Sequence, residues 1–250
     1  NDRHIKSADN SGNPMCVNCH TKQRNGEKNS LFFSRGKKGG MVLTYKGKTQ
    51  LVNTKTGDLR VSAVFSAWHP TQPFIAFSNN KVMQLFMSKS DSKIEPLDFY
   101  SDLLLYDIEK NEVSYIRQTP EKMESNPHWS ADGKYLYYCS TDSVLKNQDV
   151  TLFRTLKYDL MRIPFNIDSL SWGEPEIVYQ ATKEGKSVSK PRVSPDNKYV
   201  LFTLSEFSGY HYSHPDADLY LYNTETKECA PMDAINTNRA EGIADWSSSG

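Results

Sequence analysis

Hydrophobic and polar residues alternate along this chain in short bursts broken by turn residues, a pattern of many strands rather than long helices. Three bursts look alike. Ser66-Ala67-Trp68-His69-Pro70 runs into Phe74-Ile75-Ala76-Phe77-Ser78. Asn126-Pro127-His128-Trp129-Ser130-Ala131-Asp132-Gly133-Lys134 runs into Tyr135-Leu136-Tyr137-Tyr138. Lys190-Pro191-Arg192-Val193-Ser194-Pro195-Asp196-Asn197-Lys198 runs into Tyr199-Val200-Leu201-Phe202-Thr203. Each predicts a short strand, a tight turn and a second strand, because Asp-Gly and Asp-Asn tolerate the left-handed positions a turn needs. The residues after each turn are β-branched, aromatic or leucine, as a buried inner strand requires. A further copy starts at Ala244-Asp245-Trp246-Ser247, and the anchors Trp68, Trp129, Val193 and Trp246 are 61, 64 and 53 residues apart.

A second element recurs after each copy, at 101–107, 158–163 and 217–223, followed by a polar turn and one more short strand. Four strands per unit of about 40 to 60 residues predict an all-β chain, a β-propeller of four-stranded blades. A β-sandwich is the alternative, but it has no reason to repeat one turn motif at blade spacing. The expected organisation is a flexible arm over residues 1–12 and a propeller from 13 to 250. Its blades would begin near 13, 66, 126 and 190, with another at 244. The pattern stops inside a blade, where an inner strand would be left unpaired, so the native protein is expected to continue past Gly250.

Charge narrows the function. With 30 Lys plus Arg against 30 Asp plus Glu, the net charge is zero. A nucleic-acid or anionic-membrane binder working through bulk charge is therefore not expected. No stretch approaches the roughly 18 to 20 apolar residues of a spanning helix. The polar start of the chain shows no signal peptide, which fits either a cytosolic protein or one whose leader is removed or not included.

The most specific motif is Cys16-Val17-Asn18-Cys19-His20, a C-x-x-C-H sequence of the kind that attaches c-type haem. In that chemistry the two thiols add to the haem vinyl groups and the adjacent histidine ligates the iron. Random placement of 4 Cys and 6 His in 250 residues yields on the order of 0.001 such motifs, so chance is a poor explanation. Aligning Asn13-Pro14-Met15-Cys16 with Asn126-Pro127-His128-Trp129 places a six-residue insertion between the first strand and its turn, with Cys19 and His20 inside it. Cys16 and Cys19 could instead form a local disulfide or redox pair, or contribute to a zinc site needing two more ligands. Cys139 and Cys229 read as buried thiols acting as small hydrophobes.

Several of these segments together carry a resemblance. They are Asn13-Pro14-x-Cys16-x-Asn18-Cys19-His20, Arg35-Gly36, Gly39-Gly40, Ala67-Trp68-His69-Pro70 and Ser101-Asp102-Leu103. Further on come Gly185-Lys186-Ser187-Val188-Ser189, Pro191-Arg192-Val193-Ser194-Pro195-Asp196 and His214-x-x-Ala217-Asp218-Leu219-Tyr220-Leu221. The chain resembles the TolB-like propeller proteins of Bacteroidota, in the group that carries a c-type haem motif ahead of the first full blade. The resemblance implies a six-bladed propeller exported across the inner membrane, periplasmic or outer-membrane-associated. It implies haem c attached at Cys16 and Cys19, with His20 as proximal ligand, and a partner that is an envelope protein or redox protein. In that family the segment after the Trp68 strand often ends in Phe-His, whereas here it reads Gln84-Leu85-Phe86-Met87. Histidine and methionine are the usual sixth ligands of such a haem, so Met87 becomes the candidate distal ligand. Its alternative is a core or loop methionine.

His214, with His211, is the alternative distal ligand; otherwise both lie in a solvated loop or bond Asp216. His69 and His128 are expected to hydrogen-bond within their blades. Asp107, Asp132, Asp196 and Asp218 fall at turn and strand-capping positions, and no catalytic constellation or Gly-x-Ser-x-Gly elbow is found. Arg35-Gly36-Lys37-Lys38 reads as a solvated hairpin tip able to steer an acidic redox partner. Two functions are open: a haem propeller for electron transfer or redox sensing, or a haem-free scaffold that holds a protein or peptide.

Overall fold

The computed structural model describes residues 16–23, 29–35, 40–54, 63–86, 94–143, 152, 155–207, 211, 214–247 and 249–250. Nearly all regular structure is antiparallel sheet, arranged as four successive blades. The first holds β1 (Cys16–Lys22), β2 (Ser30–Arg35), β3 (Gly40–Tyr45) and β4 (Lys48–Val52) in that order. In the second, β5 (Phe65–Trp68) and β6 (Phe74–Ser78) pair with β9 (Leu103–Asp107) and β10 (Glu112–Tyr115). A hairpin of β7 (Lys81–Phe86) and β8 (Ile94–Tyr100) is inserted between β6 and β9. The third has β11 (Lys122–Trp129), β12 (Tyr135–Asp142) and β13 (Asp159–Asn166). Two short strands, β14 (Ser171–Trp172) and β15 (Glu176–Tyr179), share the far edge of β13 as an interrupted fourth strand. The fourth contains β16 (Ser187–Val193), β17 (Tyr199–Ser205), β18 (Asp218–Asn223) and β19 (Cys229–Pro231).

The two-residue period of the second strands explains why blades stack. Successive side chains of a strand point to opposite faces. On β6, Ile75 and Phe77 join the core shared with the first blade, while Phe74 and Ala76 join the core shared with the third. On β12, Leu136 and Tyr138 face the second blade, and Tyr137 and Cys139 face the fourth. These strands are apolar on both sides because each separates two cores. Fully burying an aromatic or leucine side chain is worth about 1.5–3 kcal/mol, so these inter-blade seams supply the main cohesion between sheets. The first strands β5, β11 and β16 pack against one another from blade to blade.

Turn chemistry repeats with the blades. Ser130 Oγ donates to Asp132 Oδ1 at 2.7 Å, Asp132 Oδ1 accepts from Lys134 N, and Ser130 Oγ accepts from Tyr135 N. Ser194, Asp196, Lys198 and Tyr199 make the same three bonds. At the third-to-fourth strand turns, Asp107, Asn166 and Asn223 each cap the two backbone N–H groups two and three residues on. The fourth residue after each cap, Asn111, Leu170 or Lys227, takes a left-handed φ of 56°, 51° or 66°. Asp107, Asp132 and Asp196 are thus turn-forming residues, whereas Asp218 opens β18.

The segment after β19 follows the path of a first strand. Glu124, Val188 and Glu241 each donate a backbone N–H to the residue that precedes or begins the third strand of the blade before, Ser101, Tyr158 and Ala217. Trp129, Val193 and Trp246 each lie five residues further on. Trp246 then donates its indole N–H to Arg192 O at 2.9 Å, and Arg192 pairs with Asp245.

Candidate functional site

Two sets of polar residues stand out, one at the turns that follow the first strands and one nearer their starts. At the turns, the blades are latched in series. Gln23 donates to His69 O at 2.7 Å, linking first and second blades. The His69 Nδ1 accepts N–H bonds from Thr71 and Gln72, so its other nitrogen carries the proton and donates to Gly133 O of the third blade at 3.3 Å. Ala131 N donates to Asn197 Oδ1 of the fourth blade. His69 therefore bonds within its own turn, as expected, and also across to the next blade. Burial holds its pKa down to about 4. His128 likewise reaches across, its Nδ1 accepting from Val193 N, with its pKa lowered to about 3 by burial and by Arg192.

Toward the start of the same strands lies a buried polar cluster that sequence reasoning missed. Asn80 is its hub: its amide accepts from Ser78 and donates to Asp98 Oδ2 at 2.8 Å and to Ser125 Oγ at 2.9 Å. Asn79 accepts from Asp102 N, and Tyr100 Oη donates to Asp102. Burial raises Asp98 to about 6, and raises Glu124 to about 7 with a further contribution from the Asp102 charge. Asp102 is also raised by burial. Among the described residues, Asp98 Oδ1, Ser101 Oγ, Glu124 Oε2, Asn126 Oδ1, Tyr158 Oη and Ser189 Oγ are buried without a protein partner. Perturbed carboxylates beside unsatisfied polar atoms make this cluster a candidate functional site. The sequence signal was weak: Asp98 sits on the inserted hairpin and Glu124 on a first strand, away from every repeated turn.

The haem motif occupies a different setting from the one its alignment suggested. Cys16, Cys19 and His20 all lie within β1, not in an insertion after it. The reason is the phase of the turn. Gln23 N donates to Asn29 O just as His69, Ser130 and Ser194 donate to Phe74, Tyr135 and Tyr199. Lys22, not Cys16, is therefore the counterpart of Trp129, and the first turn is one residue longer than the others. The register between β1 and β2 slips at Cys19, where Asn18 faces Phe33 and His20 faces Phe32. Among the described residues β1 is an edge strand, and His20 is exposed.

Met87 and the Arg35-Gly36-Lys37-Lys38 tip fall wholly or largely outside the described residues. His214 is ordered in the loop before β18, stacked on Phe207 with centroids 4.4 Å apart. His211 is not solvated: it is buried and its Nε2 donates to Ser187 O at 3.1 Å. Asp216 instead accepts from Ser205 and Glu206. Cys139 is fully buried with its thiol pushed up to about 12, whereas Cys229 is only half-buried and raised to about 11. Among the described residues no three His, Cys, Asp or Glu side chains cluster as a metal site, and no helix is long and apolar enough to cross a membrane.

No family model and no curated protein matches this chain by sequence. Solved structures do match its shape. A TolB from Agrobacterium tumefaciens superposes with a TM-score of 0.56 at 13% identity, covering 86% of this chain and 64% of that one. TolB from Acinetobacter baumannii gives 0.51 at 12% identity over 90% of this chain and 47% of its own length. A puromycin-hydrolyzing peptidase from Mycobacterium tuberculosis gives 0.55 at 11% identity, covering 92% and 32%. The chain thus spans less than two thirds of each of these proteins. Propellers carry many activities, so what these likenesses show is the fold: the chain is built as a β-propeller.

Proposed function

We propose that this chain is part of an extracytoplasmic propeller that binds a protein partner and carries a covalently attached haem c on its first blade. The observation that carries the haem is the C-x-x-C-H motif on the edge strand β1, with a bulge at Cys19 and an exposed His20. These features are compatible with the group: among the described residues β1 is the first strand of its sheet, and His20 is solvent-exposed. Cys16 and Cys19 would hold the haem through thioethers and His20 would ligate its iron, with Met87 or His214 as the candidate second protein ligand. When bound, the haem supplies one-electron chemistry. The protein supplies a rigid frame, since Gln23 at the end of β1 bonds the second blade and fixes the strand's position.

The test is an intact mass and visible spectrum after production with the machinery that attaches c-type haem. A covalent haem mass and a sharp Soret band support the reading, and Cys16→Ala or Cys19→Ala should abolish them. Protein without haem, with Cys16 and Cys19 joined as a disulfide, refutes it. A haem-free binding scaffold is the second reading, favoured by the extended strand that holds the motif and by the buried polar cluster away from it. A pull-down from envelope extract with the haem-free Cys16→Ala/Cys19→Ala chain tests that reading, and loss of all partners would count against it.

A further inference from the structure

The seam between the third and fourth blades opens into a cavity of about 500 Å³ that the haem reading does not use. Small-molecule sites commonly measure about 300–1,000 Å³. The cavity lies between β13 and β15 of the third blade and the β18–β19 turn of the fourth. Tyr137 and Tyr222 are its buried floor, and Tyr179 is a wall. The Tyr179 ring is pinned: it lies 5.5 Å from the Phe202 ring and 6.3 Å from the Tyr222 ring, and its hydroxyl donates to Glu184 at 2.6 Å. Ile177 in the same lining is 58% exposed. Two cations complete the lining. Arg162 Nε and Nη2 both donate to Glu176 Oε2 at 2.7 Å, its guanidinium lies 4.4 Å from the Tyr135 ring centre, and the Tyr137 hydroxyl takes a further bond. A guanidinium has five N–H groups, so Arg162 is fixed in place with donors to spare. Burial raises the Tyr222 pKa, and the Arg162 charge opposes that rise from across the seam. Lys227 donates to Thr224 O at 2.5 Å and pairs with no carboxylate among the described residues. Two cations against Glu176 leave the lining one positive charge in surplus.

The seam between the second and third blades shows that packing does not demand these cations. It holds a cavity of about 590 Å³ in the matching place. Arg162 pairs with Tyr137, two residues into β12, as Leu105 pairs with Ala76, two residues into β6. Lys227 and Leu170 are the left-handed residues at the fourth place after the turn caps of the following blades. Where one cavity has arginine and lysine, the other has two leucines. The leucine cavity carries Asp107, Lys110 and Glu112, one negative charge in surplus. We propose that the cavity between the third and fourth blades binds an aromatic carboxylate, its ring against Tyr179 and Ile177 and its charge taken by Arg162 and Lys227. Tyrosine walls favour a flat ring in offset or edge-to-face contact. One negative charge cancels the surplus, and carboxylate oxygens accept from both cations. An amide leaves the surplus in place, and an amine adds to it. The acid is a free aromatic acid or the C-terminal aromatic residue of a polypeptide.

The test uses the full chain and backbone-amide NMR shifts. Indole-3-acetate should move the signals of Arg162, Tyr179 and Lys227 saturably and leave those of Leu105 and Leu170 in place. Indole-3-acetamide should bind at least tenfold more weakly. Lys227→Leu, which installs the leucine that the other seam carries at an exposed turn, should weaken indole-3-acetate at least tenfold while the chain stays folded. Acetyl-Ala-Trp with a free carboxylate binding tighter than indole-3-acetate assigns a polypeptide C-terminus, and the reverse order assigns a free acid. The proposal is overturned if neither acid gives a saturable shift, if the amide binds as well as the acid, if Lys227→Leu leaves the affinity unchanged, or if the shifts fall at Leu105 and Leu170 instead.

Discussion

Gly133→Ala tests the latch between the second and third blades. Gly133 has φ of 72°, and a Cβ built there would stand 2.4 Å from His69 Nε2 and 2.5 Å from Cε1. Two costs arise. An alanine in the left-handed region costs about 1–2 kcal/mol. The imidazole must also move, which breaks its bond to Gly133 O and disturbs its edge contact with Trp129 at 4.7 Å. A buried hydrogen bond and a disturbed aromatic pair add roughly 1–2 kcal/mol. Gly185→Ala is the matched control, because its φ is 69° and nothing lies within 4 Å of the new Cβ. The left-handed cost and the unfolded-chain effect of Gly→Ala are the same at both sites and cancel. At about 2–4 °C per kcal/mol for a chain of this size, Gly133→Ala should melt roughly 2–8 °C below Gly185→Ala by circular dichroism. Combining Gly133→Ala with His69→Ala should lose little beyond His69→Ala and the left-handed cost, since the clash is then gone. Equal melting of the two single alanine variants would refute the reasoning.

Glu124→Gln should stabilise the protein at pH 8 and do little at pH 4. Burial raises the folded carboxyl to about 7 from an ordinary 4.5, so its contribution is full below 4.5 and lost as pH climbs through 7. The difference is about 3 kcal/mol, read as a urea midpoint at each pH, and a pH-independent shift would count against a buried, ionising Glu124. His69 and His128 have the opposite sign. Held neutral with pKa values of about 4 and 3, they withdraw stability as pH falls below 6.5. The Glu124→Gln variant should therefore lose stability between pH 6.5 and 4.5 more steeply than the parent. Ser130→Ala and Ser194→Ala should each cost about 1–2 kcal/mol in chemical unfolding, because each hydroxyl joins two turn bonds; clearly unequal losses would break the equivalence of the two turns. Trp246→Phe, which removes the bond to Arg192 O, should cost about 1 kcal/mol in the same assay, and a neutral result would mean the 232–246 segment is not docked through its indole.

The architecture was legible because its causes are local and repeated. Ser-x-Asp-Gly-Lys and Ser-x-Asp-Asn-Lys each encode a complete turn, serine bonding aspartate and aspartate capping the lysine N–H. The apolar runs after them, such as Phe74–Ser78 and Tyr199–Ser205, are continuous because both faces of those strands meet a neighbouring blade. The first blade departed from this because it lacks the anchor residue. With Lys22 standing where the others have Trp or Val, alignment on Asn-Pro slid the motif six residues and invented an insertion that the Gln23–Asn29 turn does not contain. Side-chain pattern alone could not set that phase, and the backbone bond across the turn does.

The buried polar cluster was illegible for the opposite reason: its members share no local pattern. Asn80 follows a second strand, Asp98 lies on the second strand of an inserted hairpin, Asn126 and Ser189 sit on first strands of different blades, and Tyr158 precedes β13. They meet only because the blades converge. Read singly, each is an ordinary strand-end or turn residue. Brought together, their burial removes water from two carboxylates and leaves six polar oxygens without a protein partner among the described residues, a cost of several kcal/mol that the seams between blades must offset. A purely structural interior has no reason to keep that arrangement, since replacing such groups by apolar ones of the same shape is close to neutral.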